Sequence, residues 1–561
     1  MFEKLAKLIA RASGIEDFQL GAPEFEELGH FTSSVAFSVA KRDKTSPIQA
    51  AELIRGRILD ESPKGFIRQI DIKAPGFINF WMTDHALQEE FSGIRHKGDK
   101  YGKLDVGKGK RVIVEYSSPN IAKPMHVGHM RSTIIGAAIA NIHEELGYKV
   151  VRWNYLGDWG TQFGKLIAAY KKWGDKKEVE RAPIETLLTL YVKFNEEAKK
   201  DAELEKSGRE EFKKLEDGDK ENRRLWTWFR KESLKDLQPI YKTLGVKFDV
   251  LIGESFYEKD LEPLIRDLGN KGMLKLSEGA LIIPLDSFNL PPALLKKSDG
   301  ASLYITREIA NLIYRLNKYK PKKIIYVVGY EQSLHFEQLS ALAQLLNLSS
   351  AEIVHVKYGM VTGEGGKKIS TREGSSIALE DLIEESLIRA RKIIDIKQPS
   401  LSDRDKDKIA RLVGIAALKY NDLSQSRMSD ISFDWDKMLN FEGNSAPYLL
   451  YAYARMRSIL NKASHNKADS NFLSSKEDLA LILKLSRFPQ VIQRAADGGF
   501  PHYIAGYLYE LAKTVNRFYE NEPVLKAGKG VREARLGLVD AAAKVMKNGL
   551  GLLGIEVSEK M

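Results

Sequence analysis

Two histidines with a single glycine between them carry the first chemistry in this chain: His126 and His129, flanking Gly128 in Ser117-Ser-Pro-Asn-Ile-Ala-Lys-Pro-Met-His-Val-Gly-His129. Three apart on a helix, the two rings share a face, and each imidazole can donate a hydrogen bond to a phosphate oxygen. Gly128 removes a side chain where a flat adenine could lie on backbone. The segment follows an apolar strand and opens a helix, whose first turn offers unpaired N–H groups and a positive dipole end to phosphates. A second group, Lys367-Lys-Ile-Ser-Thr-Arg-Glu-Gly374, places cations after another strand. Taken singly, the histidines could be a polar helix start and the lysines a solvated basic loop.

Elements of a particular kind must position these groups. Arg111-Val-Ile-Val-Glu-Tyr116 reads as a strand, a helical pattern runs from about Met125 to Leu146, and Val150-Val-Arg-Trp-Asn154 is a second strand. That is the length of a right-handed parallel crossover unit. Ile324 to Val328 and Ile353 to Lys357 are further buried-strand candidates. The middle of the chain therefore reads as a doubly wound parallel-sheet α/β domain, which binds ligands beyond the carboxyl ends of its strands. A charged helical stretch, Glu178 to Leu244, is an insertion into it.

Before this domain, residues 1–104 read as a small α/β module. Phe31 to Ala40 alternates like a strand, Gly76-Phe-Ile-Asn-Phe80 is another, and Lys97 to Lys110 has the composition of a linker. The first ten residues read as the opening helix of this module rather than a targeting segment. The sheet domain spans 105–390, with its helical insertion near 165–250. From about residue 391 strand signals vanish. Helical periodicity over Ile409–Tyr420, Tyr448–Leu460, Lys476–Ala496 and Ile504–Tyr519 predicts an all-α region to residue 561.

A chain of 561 residues exceeds one hydrophobic core and should divide into about three domains. The net charge of +11 tilts toward a polyanionic partner without requiring one. The sequence has no cysteine, which excludes disulfides and thiolate-ligated metal, and its ten histidines form no metal-spaced cluster, so no zinc is expected. No apolar run approaches the ~20 residues of a membrane helix, so a cytoplasmic protein without membrane association is expected.

His126-Val-Gly-His129 resembles the His-Ile-Gly-His signature of class I aminoacyl-tRNA synthetases, and Lys367 to Gly374 is similar to the Lys-Met-Ser-Lys-Ser loop of the same class. The two occur in the correct order. Longer segments resemble the arginyl-tRNA synthetases in particular. These are Glu115 to Pro124, Asn154-Tyr-Leu-Gly-Asp-Trp-Gly-Thr-Gln-Phe-Gly164, Val327 to Phe336, Phe433 to Tyr448 and Leu552-Leu-Gly-Ile-Glu-Val557. The resemblance spans nearly the whole chain.

It implies ATP-dependent activation of L-arginine and transfer to tRNA(Arg), with bound tRNA needed for activation, and with Mg²⁺ accompanying ATP rather than held in a protein cage. Lys123, His126, His129 and Lys368 would be catalytic. The second lysine of the loop pattern falls on Thr371, a loss that recurs in the arginine-specific branch, where a lysine at the place of Lys123 is thought to substitute. Cations there would stabilise charge growing on the departing pyrophosphate. ATP contacts are implied for Gly128, Gly329, His335, Met360, Ser370 and Arg372. The substrate guanidinium would meet Glu115 and Glu308, with Asn120, Tyr304 and Gln332 completing the pocket. The family usually carries Asp at the position of Glu308. One methylene more keeps the charge and moves it by about a bond length.

The N-terminal module resembles the family's domain for the outer corner of tRNA, and the C-terminal helices its stem and anticodon-binding bundle. Tyr448, Tyr451, Tyr453, Arg455 and Arg457 interleave aromatics and cations as base stacking and phosphate pairing require, and some of these tyrosines must instead be core. A monomer is expected. The rival readings are activation of another amino acid, a non-catalytic RNA-binding paralogue, and a simple nucleotidylyltransferase.

Overall fold

The computed structural model describes residues 1–297, 303–362, 378–463 and 469–561. Its centre is a five-stranded parallel sheet in the order Glu352–Tyr358, Lys323–Gly329, Arg111–Glu115, Lys149–Leu156, Val250–Gly253. Strand order reverses between Arg111–Glu115 and Lys323–Gly329, so a crevice opens beyond their carboxyl ends. Val112, Ile113 and Val114 are wholly buried, as are Ile324, Tyr326 and Val327. Both faces of the sheet are covered, which explains why these strands read as unbroken apolar runs.

The helix Val127–Glu145 covers one face, and its outer side meets the C-terminal helices Phe488–Gly498 and Val531–Leu552. The other face is closed by Tyr304–Tyr319 and Ser333–Leu345. The insertion forms four helices, Lys176–Arg181, Pro183–Ala198, Ala202–Glu216 and Lys220–Thr243. A small antiparallel sheet of Lys275–Ser277, Ala280–Ile283 and Ala293–Lys296 follows, with no counterpart in the sequence reading.

Three local expectations are corrected. Phe31–Ser33 is a strand, but Val35–Asp43 is a helix. Its buried Val35, Ala36, Val39 and Ala40 follow helical spacing that the apparent alternation concealed. The stretch from Lys97 to Lys110 is no free linker. Its Leu104 and Gly107 amides donate to Glu145 and Leu146, and a Cβ on Gly107 would lie 2.5 Å from the Tyr148 nitrogen. Lys476 to Ala496 is two helices, Lys476–Ser486 and Phe488–Gly498, parted where Pro489 enters the first turn of the second.

The N-terminal module is an antiparallel sheet ordered Leu20–Gly21, Phe31–Ser33, Phe77–Met82, Ile67–Lys73, backed by helices. Its helix Asp84–Lys97 packs on Lys476–Ser486 of the bundle. Among the described residues no helix is long and apolar enough to cross a membrane.

Candidate active site

The crevice is lined first by the turn that follows Glu115. Ser117, Ser118 and Ala122 all have positive φ (74°, 47° and 63°), a left-handed conformation that side chains resist. The turn is held by bonds from several elements. Ser117 N–H donates to Ser132 Oγ (3.0 Å), which donates to the Val327 carbonyl (2.7 Å). Ser118 N–H donates to Asn154 Oδ1 (3.1 Å), and Ala122 N–H to Ser233 Oγ (3.2 Å). Ser233 and Tyr241, whose hydroxyl lies 2.9 Å from Ser117 Oγ, belong to the last helix of the insertion. That element, opaque in sequence, buttresses the turn. Asn120 bridges to Gly157, and a Cβ at 157 would sit 2.1 Å from Asn120 Oδ1.

His126 is the N-cap of Val127–Glu145. Its Nδ1 accepts the Gly128 N–H (3.1 Å), and His129 Nδ1 accepts the His126 N–H (3.1 Å). The rings lie 3.9 Å apart between centroids. With both Nδ1 atoms accepting, each neutral ring carries its proton on Nε2, which leaves a donor for phosphate. Burial lowers the pKa of His126, and burial followed by His126 brings His129 down to about 3. Both therefore stay neutral donors at physiological pH. Lys123 Nζ stands 5.0 Å above the Tyr191 ring of the insertion.

Lys368, Ser370 and Arg372 lie outside the described residues, but the chain on either side is anchored. Val361–Thr362 pairs with Ile431–Ser432, while Ala378 bridges to His126 and Leu379 N–H donates to the Met125 carbonyl (2.8 Å). The described chain resumes at Ala378 beside the histidine turn.

Met360 is 47% exposed, but its polar backbone atoms and those of Gly359 are already engaged. Gly359 N–H donates to the Arg427 carbonyl (2.9 Å) and Met360 N–H to Asp430 Oδ1 (2.7 Å). Both carbonyls accept from the buried Arg131, at 2.7 and 3.0 Å. Arg427 donates in turn to the carbonyls of Lys357, Gly498 and Gly499 and stacks 4.3 Å from the Phe500 ring. Two guanidiniums thereby fix the end of Glu352–Tyr358 to the histidine helix and to the bundle.

A second pocket lies beside Glu115. Glu115 is buried and accepts a bond from Arg315, which is fully buried and faces Trp153 (4.4 Å) and Tyr326 (5.3 Å). Glu308, also buried, accepts from Asn311 Nδ2 through Oε1 (3.1 Å), and Asn311 Oδ1 accepts from Tyr257 (2.7 Å). Glu308 Oε2 is buried with no hydrogen-bond partner of good geometry among the described residues, although the Tyr326 hydroxyl lies close enough to act on it. Burial, then the Glu115 charge, raises the Glu308 carboxyl to about 8 against the opposing pull of Arg315. Burial likewise raises Glu115, with Arg315 opposing. Arg315 pairs with one of these two carboxyls, and a further cation in the pocket would favour ionisation of the other.

Tyr304 remains 39% exposed and packs 4.8 Å from His335 and 6.4 Å from Tyr155 between centroids. The His335 ring is depressed to about 4 by burial and then by His355. Gly329 ends its strand against Glu331, and Gln332 is exposed beside it. Tyr304, Glu308, Asn311 and Arg315 lie on one face of Tyr304–Tyr319. Asn311 and Arg315 are absent from the sequence reading, although their i+7 and i+11 spacing from Tyr304 carries the signal.

The C-terminal candidates divide. Tyr451 is half exposed, and Arg455 is exposed, 5.2 Å from the Tyr519 ring. Tyr448 accepts from Asn516 (2.9 Å). Tyr453 is core, and Arg457 pairs with Glu559 (3.0 Å).

Comparison with known proteins gives a consistent result. The family model for the catalytic domain of class I (R) tRNA synthetases matches residues 91–435, the DALR anticodon binding domain 449–561, and the arginyl-tRNA synthetase N-terminal domain 2–82. The chain is 42% identical to the arginine–tRNA ligase of Halothermothrix orenii over 100% of its own length and 99% of that protein's. It is 43% identical to the one from Streptococcus suis, over 97% and 95%. Among solved structures it is similar to the arginyl-tRNA synthetases of Thermus thermophilus (TM-score 0.85, 25% identity, 100% of each chain) and Plasmodium falciparum (0.84, 27%, 100% and 99%).

Proposed function

We propose, from the premise that this chain belongs to the arginyl-tRNA synthetase family, that it activates L-arginine with ATP and charges tRNA(Arg) through the residues described above. The observation that carries the residue assignment is the pocket of Glu115, Glu308 and Arg315 beside the histidine turn, where Arg315 matches one carboxylate and the other ionises fully only against a further cation. A substrate guanidinium supplies that charge and five donors for buried oxygens. Tyr304 packs along its stem, and Asn120 and Gln332 hold the amino-acid end.

In the first step an arginine carboxylate oxygen attacks the α-phosphorus of ATP, and the bond to pyrophosphate breaks. His126 and His129 donate from Nε2 to phosphate oxygens, while Lys123 and Lys368 meet the charge that grows on the leaving group. Gly128, Gly329, His335 and Met360 frame the nucleoside, with Ser370 and Arg372 on the phosphates. Mg²⁺ arrives on the triphosphate. Among the described residues no group of three His, Cys, Asp or Glu could hold a metal of its own. In the second step a ribose hydroxyl at the tRNA end attacks the acyl carbon and AMP departs.

Residues 1–104 would meet the outer corner of the tRNA and 391–561 its stem and anticodon, with Tyr448, Tyr451 and Arg455 as stacking and phosphate contacts. Arg457, paired with Glu559, would have to release that partner to join them. We further assign a cytoplasmic monomer, which light scattering on the purified protein tests.

The deciding experiment is ATP–pyrophosphate exchange with each of the twenty amino acids, with and without tRNA. Exchange with arginine only, and only in the presence of tRNA, is expected. Folded protein without exchange under any condition would overturn the assignment.

A further inference from the structure

The N-terminal module and the C-terminal bundle meet along a seam. Gln88 Nε2 donates to the Leu473 carbonyl (2.9 Å), Tyr101 to Leu485 (3.0 Å), and Arg487 to His30 (2.8 Å). Between these contacts lies a cleft of about 630 Å³. Its lining carries five Lys or Arg side chains against three carboxylates. The two signs are not mixed. Glu26, Glu27 and Asp84 are exposed at the rim, whereas Lys484 and Arg487 are partly buried at the floor beside His30.

Neither floor cation holds a side-chain hydrogen bond to a carboxylate among the described residues. Arg487 spends one Nη on the His30 carbonyl, and its buried Nε has no partner among them. The Lys484 ammonium stands 5.7 Å from the Tyr507 ring. Burial, and next the Arg487 charge, lowers Lys484 to about 8, and burial also lowers Arg487, with Glu26 opposing at a distance. His30 Nδ1 accepts the Met82 N–H (3.0 Å), which leaves Nε2 as a neutral donor. Two adjacent cations drawn partly out of water, with Glu26 and, for Lys484, Glu510 acting on them only through space, are unfavourable for the fold alone, and an anion between them reduces the penalty.

We infer that this seam is a binding site for one phosphate group, held by Lys484 and the free edge of Arg487, with His30 and Arg68 completing the cradle. The rim carboxylates leave room for one phosphate between them, whether it projects from a longer chain or arrives alone. The phosphate could belong to an RNA backbone or be a free ion, and the chemistry is the same for both. The RNA source rests on the functional reading above, whereas the free-ion source does not.

The test uses full-length protein with Lys484→Met, which keeps the aliphatic stem, and Arg68→Gln, at an exposed position. In one arm the tRNA Kd is measured against KCl concentration. Each variant is expected to weaken binding several-fold and to lower the slope of log Kd against log salt by about one. In the other arm, inorganic phosphate at constant ionic strength should raise the melting temperature of the wild type and not that of Lys484→Met. A change in the RNA arm alone assigns the site to tRNA, and a change in the phosphate arm alone assigns it to a free anion. If both variants fold and neither arm moves, the inference is wrong. Arginine-dependent exchange by the wild type, run alongside, shows separately whether the functional reading stands.

Discussion

The carboxylate of Glu115, at the end of the central strand, is bound to the guanidinium of Arg315, on the helix that also presents Tyr304 and Glu308. Both partners are buried, so the bond is shielded from water. The pocket thus contains an internal copy of the group its substrate would bring.

Removing either partner should expose this dependence. Glu115→Gln leaves Arg315 charged without its hydrogen-bonded partner, and a broken buried pair costs about 3–5 kcal/mol. The expected outcome is a lower denaturation midpoint for the catalytic domain and a steep rise in arginine KM, with ATP affinity nearly unchanged. Equal losses for both substrates would mean general misfolding. Arg315→Met should destabilise to a similar degree.

Glu308, with its carboxyl raised to about 8, is mostly protonated at neutral pH in the empty pocket. A guanidinium favours the carboxylate, so arginine binding should release a proton. Arginine KM should then fall as pH rises toward 8 and level off above it. Calorimetry in buffers of different ionisation enthalpy measures the proton directly, and Glu308→Gln should abolish it. The sign for stability is opposite. A carboxyl raised on folding favours the folded state at low pH, and that contribution fades as pH rises through about 8.

His126 caps its helix, and substitutions can separate that from its proposed role as a phosphate donor. Asn caps a helix as well as any residue, so His126→Asn should keep the melting temperature, whereas His126→Ala should lose about 1 kcal/mol with the cap. Both lack the imidazole Nε2 donor and should lower the rate of adenylate formation by roughly 100-fold in single-turnover measurements. With His129 depressed to about 3, its titration should leave no inflection in the rate between pH 5 and 8.

The backbone at Gly359 is clamped. A Cβ there would stand 2.6 Å from Asp430 Oδ1 and 2.8 Å from the Ser429 carbonyl. Gly359→Ala should therefore shift the backbone at Met360 and raise ATP KM about tenfold, an assumed 1.4 kcal/mol of lost positioning. Arginine KM should change far less. Arg427→Met, which frees the end of the strand Glu352–Tyr358 from Gly498 and Gly499, should reproduce the split.

Lys123 stands over Tyr191 rather than over the histidine turn in this structure. If it shares the pyrophosphate charge with Lys368, Lys123→Ala should slow adenylation by well over tenfold while leaving arginine affinity in place. A change within a few-fold would remove Lys123 from the reaction.

Much of this was legible in the chain itself. The strand-turn-helix around His126 follows from an apolar run, a polar turn and helical periodicity, all local signals. The presence of the parallel sheet follows from strands too uniformly apolar to have a wet face. Val35, Phe37 and Val39 place large apolar side chains at every second position and so imitate a strand, whereas the helix buries Val35, Ala36, Val39 and Ala40. The insertion was opaque because Ser233 and Tyr241 gain their meaning only from contact with a turn more than a hundred residues earlier.

The sequence by itself determined the main strands and helices of the central domain, the residue types of each candidate group and the family to which the motifs belong. The tertiary structure alone decided which of those charges are spent. Glu115 is matched by Arg315, the Met360 backbone by Arg131 and Asp430, and Arg457 by Glu559, while Glu308 keeps an oxygen and Lys484 a charge in reserve. The physical reason is that burial and pairing are long-range properties. A carboxylate on a strand end looks the same in sequence whether it faces water, a substrate or a guanidinium two hundred residues away, and only packing removes the water that makes the difference.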